Sequence, residues 1–149
     1  MKDEPDSPVE LRARALRLLA RREHSRDELA RKLAPRAVSP EALEVLLIDL
    51  EKRKQLSNER YAAERARVLS RKFGAARIRQ DLKSKGVERE TIDRVSAEGE
   101  LERASGILQR KYREPATTRE ERAKRMRFLQ SRGFSSEIIY KLLSAREAD

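Results

Sequence analysis

The sequence predicts an all-α protein made of three tandem three-helix repeats that form an elongated, curved helical body. Charged residues make up 42% of the 149-residue chain, apolar residues 38% and aromatic residues only 4%, so a single large aromatic core is not expected. The apolar residues are mostly Leu, Ala, Ile and Val, and they recur with helical spacing. Segments of the chain also resemble one another at a long, nearly constant period, which is typical of repeat proteins.

Capping residues predict three helices in the first repeat. The dipeptides Ser7-Pro8 and Ser39-Pro40 each open a helix, because the fixed φ of proline suits the first helical position. Ser25 opens the helix between them through a Ser-x-x-Glu capping box, and the proline ten residues later stops it.

Glycines mark the helix ends in the rest of the chain. We expect Gly74, Gly86 and Gly133 to close helices, because glycine readily takes the left-handed conformation needed there. Residues 114–118 form an inserted loop in the third repeat, after which Thr118 opens a helix through a second capping box.

The repeat is visible as matching positions in three copies. Leu33, Leu82 and Leu129 each end a basic helix and are spaced by 49 and 47 residues. After the turn that follows come Val38, Val87 and Phe134, and then pairs at i and i+3 that put equivalent faces into the core. These pairs are Leu43 and Leu46, Ile92 and Val95, and Ile139 and Leu142.

These matches divide the chain into four predicted segments. Residues 1–7 are a disordered N-terminus, and the repeats span residues 8–53, 54–97 and 98–149. Each repeat would bury apolar surface against its neighbours and leave a long lateral face. The alternative is chance similarity among amphipathic helices rich in Leu and Arg.

Charge points to a polyanionic partner. Lys and Arg total 36 against 26 Asp and Glu, for a net charge of +10, which attracts nucleic acid and speeds its association. The alternative is that the charge only keeps the chain soluble. Absence of Cys suits a reducing compartment, and no apolar run approaches the roughly 20 residues of a membrane span. We therefore expect a cytoplasmic protein without membrane contact.

Two stretches concentrate the positive charge. Residues 65–85 hold eight Lys and Arg against the single acid Asp81, and residues 110–132 form a second basic stretch. Either can engage phosphates or an acidic protein surface, although part of this charge solvates polar helix faces. The candidate contacts are Arg65, Arg71, Lys72, Arg77, Arg79, Lys83, Lys85, Arg110, Lys111, Arg125 and Arg132.

Sequence-specific readout and catalysis both lack candidates. The six aromatic residues are expected mainly in the core, but Phe73 and Tyr112 follow basic pairs at equivalent repeat positions and are candidates for partly exposed stacking rings. His24 is the only histidine, and no second histidine completes a metal or acid–base pair. We predict electrostatic binding with little sequence preference, no metal, no cofactor and no enzymatic activity.

Four stretches resemble the RecX family of recombinase regulators. They are LARREHSRDEL at residues 19–29, LSNERYA at 56–62, RKFGAARIRQDLKSKGV at 71–87 and RGFS at 132–135. The resemblance covers residues 10 to 146. The chain departs from the family pattern at residues 54–55, 57–58 and 75–76, where family members usually have a glycine, paired acids and Gly-Pro. These departures concern turns and caps.

The resemblance implies a monomer that lies in the groove of an active RecA filament and bridges neighbouring subunits. It would restrain ATP hydrolysis, strand exchange or coprotease activity, with single-stranded DNA and also double-stranded DNA as sequence-independent ligands. Matching positions assign filament or DNA contacts to Arg71, Lys72, Arg77, Arg79, Lys83 and Lys85. The main alternative is a general or helix-turn-helix DNA-binding protein without a recombinase partner. A third interpretation is a nuclease, which would need clustered metal ligands.

Overall fold

The computed structural model describes residues 4–148, and their side chains as far as Ser144. Within these residues it contains nine α-helices, one short 3-10 helix and no strand, which confirms the all-α class. The helices are α1 (Pro8–Arg21), α2 (Arg26–Leu33), α3 (Pro40–Lys52), α4 (Asn58–Leu69), α5 (Ala75–Ser84), α6 (Arg89–Asp93), α7 (Glu100–Lys111), α8 (Arg119–Ser131) and α9 (Ser136–Ala148). The 3-10 helix, Ala34–Arg36, follows α2.

The predicted helix starts are found, but neither predicted capping box is complete. The Thr118 hydroxyl accepts from the Glu121 N–H, whereas the Glu121 carboxylate accepts from the Thr117 N–H. Ser25 Oγ accepts from the Glu28 N–H at 3.1 Å, whereas the Glu28 carboxylate accepts from the Arg22 guanidinium. A complete capping box occurs instead at α1, where Ser7 and Glu10 each accept from the other's backbone N–H. In each case the side-chain oxygen satisfies a helix donor that has no intrahelical partner.

Three turns share one hydrogen-bond pattern around a residue with positive φ. At Gly86 and Gly133, with φ of 77° and 89°, the following N–H donates to the carbonyl of Leu82 and Leu129 respectively. This is a Schellman motif. Lys54 occupies the same position after α3, with φ of 60°. Gly74 has no positive φ and directly precedes α5, so our prediction that it closes a helix in the left-handed conformation is wrong.

Contacts divide the chain into two compact units. Unit 1 contains the residues up to Glu64 together with Leu82–Asp93, and unit 2 contains Arg65–Asp81 together with the residues from Arg94 onward. The leucines that align in the three repeats, Leu33, Leu82 and Leu129, are all fully buried, as expected of equivalent core positions.

Unit 1 is built around a leucine core from α1, α2 and α3, which includes Leu11, Leu29 and Leu47. The turn after α5 is attached to this unit through Ser25, whose hydroxyl donates to the Lys85 carbonyl at 2.8 Å. This bond and the helix cap formed by the same oxygen order the start of α2.

One position of unit 1 differs in burial from the matching positions of the other two repeats. Val87 and Phe134 are each 5% exposed, whereas Val38 is 65% exposed. The residue before Val38 is Ala37, which has φ of −80° and ψ of 143° instead of the positive φ of the matching glycines. The chain therefore leaves the first turn in another direction, and Val38 points to solvent.

The N-terminal stretch that we predicted as disordered contains a buried residue. Asp6 is 5% exposed, and its carboxylate pairs with Arg14 at 2.7 Å and Arg36 at 2.8 Å. Its backbone N–H donates to the Arg36 carbonyl at 2.7 Å. Residues 1–3 of that stretch lie outside the described residues.

Unit 2 has its core between α7, α8 and α9. The buried side chains include Ala104, Leu108, Leu129, Phe134 and Ile139. The start of α5 is also held in this unit, because the buried Glu100 carboxylate accepts from the Ala75 N–H. No helix within residues 4–148 is long and apolar enough to cross a membrane.

Candidate nucleic-acid interface

The two basic stretches meet within unit 2. The Gly74 N–H donates to the Arg132 carbonyl at 2.7 Å, and Arg110 Nη2 donates to the Arg71 carbonyl at 3.2 Å. These bonds join the segment between α4 and α5 to the ends of α7 and α8. We name the resulting group the Phe73 cluster, and its members are Arg71, Lys72, Phe73, Arg77, Arg110, Lys111, Tyr112, Arg125, Phe128 and Arg132.

The Phe73 ring lies within cation–π distance of two arginines. The Cζ atom of Arg77 is 4.6 Å from the ring centroid, and that of Arg132 is 5.5 Å from it. Arg77 Nη1 also donates to the Ser131 carbonyl at 2.8 Å. The ring quadrupole attracts both cations, and among the residues whose side chains are described no carboxylate pairs with either arginine.

A second pair of rings continues this arrangement. Tyr112 and Phe128 pack edge to face, with their centroids 6.0 Å apart. Arg132 lies 5.1 Å from the Phe128 centroid, Lys111 lies 4.6 Å from it, and Arg125 lies 4.6 Å from the Tyr112 centroid. Arg132 therefore contacts both Phe73 and Phe128 and connects the two halves of the cluster.

The cations packed on the rings of Phe73 and Tyr112 limit base stacking on these side chains. Both side chains are half-buried, as the stacking interpretation requires, but both already carry cations on their faces. A nucleobase that stacked on the ring face occupied by a guanidinium would have to displace that guanidinium. The contacts therefore hold the two guanidinium groups against the rings.

Several cations of the cluster face solvent without a neutralising partner. Arg71, Lys72, Arg77, Arg110 and Lys111 are exposed, and within residues 4–144 no carboxylate is paired with any of them. Exposed Lys and Arg groups bind phosphate or carboxylate oxygens through charge-assisted hydrogen bonds. The cluster can thus bind a polyanion without reading its sequence.

Other predicted contacts are placed differently. Arg65 forms a two-point ion pair with Asp81, at 2.9 and 3.2 Å, and Arg79 donates to the Val95 carbonyl at 2.8 Å. Arg125 is only 7% exposed and packs on Tyr112. These three side chains support unit 2 itself.

The last two predicted contacts lie in unit 1. Lys83 is exposed, and Lys85 is half-buried with its carbonyl bonded to Ser25. They are therefore not part of the Phe73 cluster.

Phe128, which we predicted to lie in the core, is half-buried and contacts two cations. Arg132 lies four residues after it, a spacing that places two side chains on one helix face, whereas Lys111 comes from α7 and has no local sequence signal.

His24 has a structural environment. It is 1% exposed, with Nδ1 3.0 Å from the Arg22 carbonyl and Nε2 3.0 Å from the Lys32 ammonium. Burial lowers the pKa of His24 below its usual value. Among the residues that the structure describes, no group of three His, Cys, Asp or Glu side chains is placed to hold a metal ion.

Comparison with known proteins assigns all three repeats to one family. Models described as the first, second and third three-helix domains of RecX match residues 12–47, 57–95 and 98–143. The regulatory protein RecX of Herbaspirillum seropedicae is 46% identical over 138 residues, which cover 91% of this chain and 90% of the relative. That of Pseudomonas putida is 42% identical over 150 residues, covering 97% and 96%.

Solved structures agree on the fold. The crystal structure of RecX from Lactobacillus salivarius superposes with a TM-score of 0.83 at 18% identity, covering 95% of this chain and 97% of that one. A second crystal structure, of regulatory protein RecX, gives a TM-score of 0.75 at 24% identity and covers 92% and 74%.

The fold defines a class of all-helical proteins in which three-helix domains occur three times in tandem. The chain belongs to the RecX family of regulatory proteins.

Proposed function

We propose that this protein binds the RecA nucleoprotein filament and inhibits its ATPase, strand-exchange and coprotease activities. It would do so in the cytoplasm, as a monomer, in DNA recombination and repair and in the SOS response. The single observation that carries the proposal is the Phe73 cluster, in which exposed cations without carboxylate partners are held on aromatic rings.

The charges of the cluster suit a filament made of protein and DNA. Phosphates of single-stranded or double-stranded DNA and acidic side chains of recombinase subunits offer the same anionic oxygens. Because the rings already carry cations, base stacking adds little, and binding is electrostatic and independent of sequence. Inhibition then requires that the protein bind one filament state more tightly than another, since a ligand shifts an equilibrium only by its differential affinity.

The experiment is DNA-dependent ATP hydrolysis by RecA from the same source, with this protein titrated in at physiological salt. The test variant carries Arg71→Glu and Lys72→Glu, two exposed positions of the cluster. The matched control carries Arg17→Glu and Arg21→Glu, two exposed positions on α1 in unit 1. Both variants change the net charge by −4, so a difference between them reports position and not total charge.

The wild type is expected to inhibit at well below one molecule per recombinase, and the control variant to retain most of that inhibition. The cluster variant is expected to need at least tenfold more protein, with helicity unchanged by circular dichroism. Equal loss in both variants would remove the cluster from the proposal. Tight DNA binding without any effect on RecA would favour a general DNA-binding protein.

A further inference from the structure

The turn after α4 carries two of the exposed cations of the Phe73 cluster, Arg71 and Lys72. The N–H groups of Lys72 and Phe73 both donate to the Leu69 carbonyl, at 3.0 and 2.9 Å, so the end of α4 satisfies these donors. The carbonyls of Arg71 and Lys72 lie beyond the last residue of α4, where the helix supplies no donor to them. Their hydrogen bonds therefore have to come from other parts of the chain.

Two guanidinium groups of unit 2 donate to these carbonyls. Arg110 Nη2, on α7, is 3.2 Å from the Arg71 carbonyl oxygen. Arg132 Nη1, directly after α8, is 3.5 Å from the Lys72 carbonyl oxygen. A bond in the opposite direction runs from the Gly74 N–H to the Arg132 carbonyl at 2.7 Å. Arg132 therefore holds the segment between α4 and α5 at two points.

The Arg132 side chain has a different environment from those of Arg71 and Lys72. It is half-buried, and its Cζ atom lies 5.5 Å from the Phe73 ring centroid and 5.1 Å from that of Phe128. A planar guanidinium packs on rings and donates from its edge at the same time, whereas an ammonium is a point charge on a flexible stem. The contacts of Arg132 thus depend on its shape as well as on its charge.

We propose that Arg132 is a positioning residue for the anion contacts of Arg71 and Lys72 and does not itself bind the partner. Its hydrogen bond to the Lys72 carbonyl and its contact with the Phe73 ring order the turn, so that two neighbouring cations are presented together. A turn that is already ordered loses less conformational freedom on binding, which raises affinity. This inference rests on the proposed function and assigns separate roles to the cations of the same cluster.

The experiment is a double-mutant cycle read out by inhibition of DNA-dependent ATP hydrolysis by RecA. Arg132→Lys keeps the positive charge but lacks the planar group, and we expect half-inhibition to need about fivefold more protein than in the wild type. The same change is then made in a chain that carries Arg71→Gln and Lys72→Gln. There we expect an effect of less than about twofold, because the contacts that Arg132 positions are already gone.

A matched control and a second measurement separate ordering of the turn from a general loss of stability. Arg127 is exposed on α8 and is not part of the Phe73 cluster, so Arg127→Lys is expected to inhibit as the wild type does. Amide 15N relaxation of the free protein reports order on the picosecond-to-nanosecond timescale. In Arg132→Lys the heteronuclear NOE of the Lys72 and Phe73 amides is expected to fall, while the amides of α7 and the helicity stay unchanged.

Three results would overturn the positioning role and leave the recombinase proposal standing. The first is an Arg132→Lys chain that inhibits as well as the wild type. The second is a loss of inhibition that is equally large in the Arg71→Gln, Lys72→Gln background, since Arg132 would then contact the partner itself or act through overall stability. The third is an unchanged NOE at Lys72 and Phe73. A wild type that does not inhibit RecA would remove the recombinase proposal and the role of Arg132 with it, so the two failures are distinguishable.

Discussion

The backbones of Gly74 and Gly133 touch. A Cβ atom added at Gly74 would lie 2.5 Å from the carbonyl oxygen of Gly133 and 2.7 Å from its carbonyl carbon. Beside this contact, the Gly74 N–H donates a hydrogen bond to the Arg132 carbonyl at 2.7 Å. The contact therefore brings Phe73 and Arg132, on either side of it, within cation–π distance.

Gly74→Ala is expected to destabilise the protein by about 1–3 kcal/mol, because the added methyl meets rigid backbone and forces the two segments apart. Urea unfolding followed by circular dichroism measures the change. Inhibition of RecA should weaken in the same variant under conditions where it is still folded.

Gly106 provides the control for that substitution. It lies within α7, and a Cβ there would be no closer than 3.6 Å to its nearest neighbour, the Arg110 Nη1 atom. Gly106→Ala should stabilise the protein by up to about 1 kcal/mol through helix propensity. If both alanine variants shifted the unfolding midpoint in the same direction, the close contact at Gly74 would not be the cause.

Lys54→Gly is expected to stabilise the protein. Lys54 has φ of 60°, and the bonds from the Gln55 N–H to the Leu50 carbonyl and from the Lys54 N–H to the Glu51 carbonyl form a Schellman motif that favours glycine. Relief of left-handed strain is worth about 1 kcal/mol, measurable as a higher urea midpoint. Lys52→Gly, the same change in the last turn of α3, should destabilise by about the same amount. A lower urea midpoint in Lys54→Gly would show that the left-handed conformation of Lys54 is not strained.

Asp6 makes stability depend on pH. Hydrogen bonds from Arg14 and Arg36 lower the pKa of its carboxyl group from 3.8 to about 2. The charged form is therefore favoured in the folded state, so this stabilisation is complete above pH 3.8 and is lost as the pH falls through about 2. Asp6→Asn should be less stable than the wild type at pH 7, and the difference should shrink between pH 4 and pH 2.

Urea unfolding of both proteins at a series of pH values tests this. Glu114→Gln, at an exposed position in the loop between α7 and α8, is the control and should show no comparable change. A difference for Asp6→Asn that stays constant from pH 7 to pH 2 would show that the carboxylate charge does not matter.

Ser25→Ala should destabilise the protein more than the loss of an ordinary helix cap does. Ser25 is fully buried, accepts from the Glu28 N–H and donates to the Lys85 carbonyl, so alanine leaves two backbone groups unpaired. We expect a loss of about 1–3 kcal/mol. Ser39 only caps α3, and Ser39→Ala should cost about 0.5–2 kcal/mol. Equal costs would mean that the bond to Lys85 contributes nothing.

Local features of the fold were predictable because their physical causes are local. Helix starts follow from Ser7, Ser25 and Thr118, whose side chains bond to N–H groups three residues ahead. The Schellman turns at Gly86 and Gly133 follow in the same way. The exposure of Val38 was not predicted because it depends on the φ of the turn residue before it. That residue is Ala37, and alanine does not indicate one particular turn conformation.

The candidate interface was only half predictable. Net charge and its local density identified Arg71, Lys72 and Arg77, but charge alone does not tell a solvated arginine from one that pairs within the fold, as Arg65 does with Asp81. The contact between Phe73 and Arg132 joins residues far apart in the chain. A single sequence has no signal for such a contact, since it arises from packing and not from spacing.

The way the two units share the middle of the chain limits how the protein can be shortened. Most solenoid proteins are modular, so that a whole repeat can be deleted or added without destroying the others. Here the second three-helix domain contributes Leu82–Asp93 to one compact unit and Arg65–Asp81 to the other. Excising that domain would remove core residues from both units at once, and cutting at either repeat boundary would leave one unit incomplete. The sequence has three repeats, but neither predicted boundary between them separates two complete compact units.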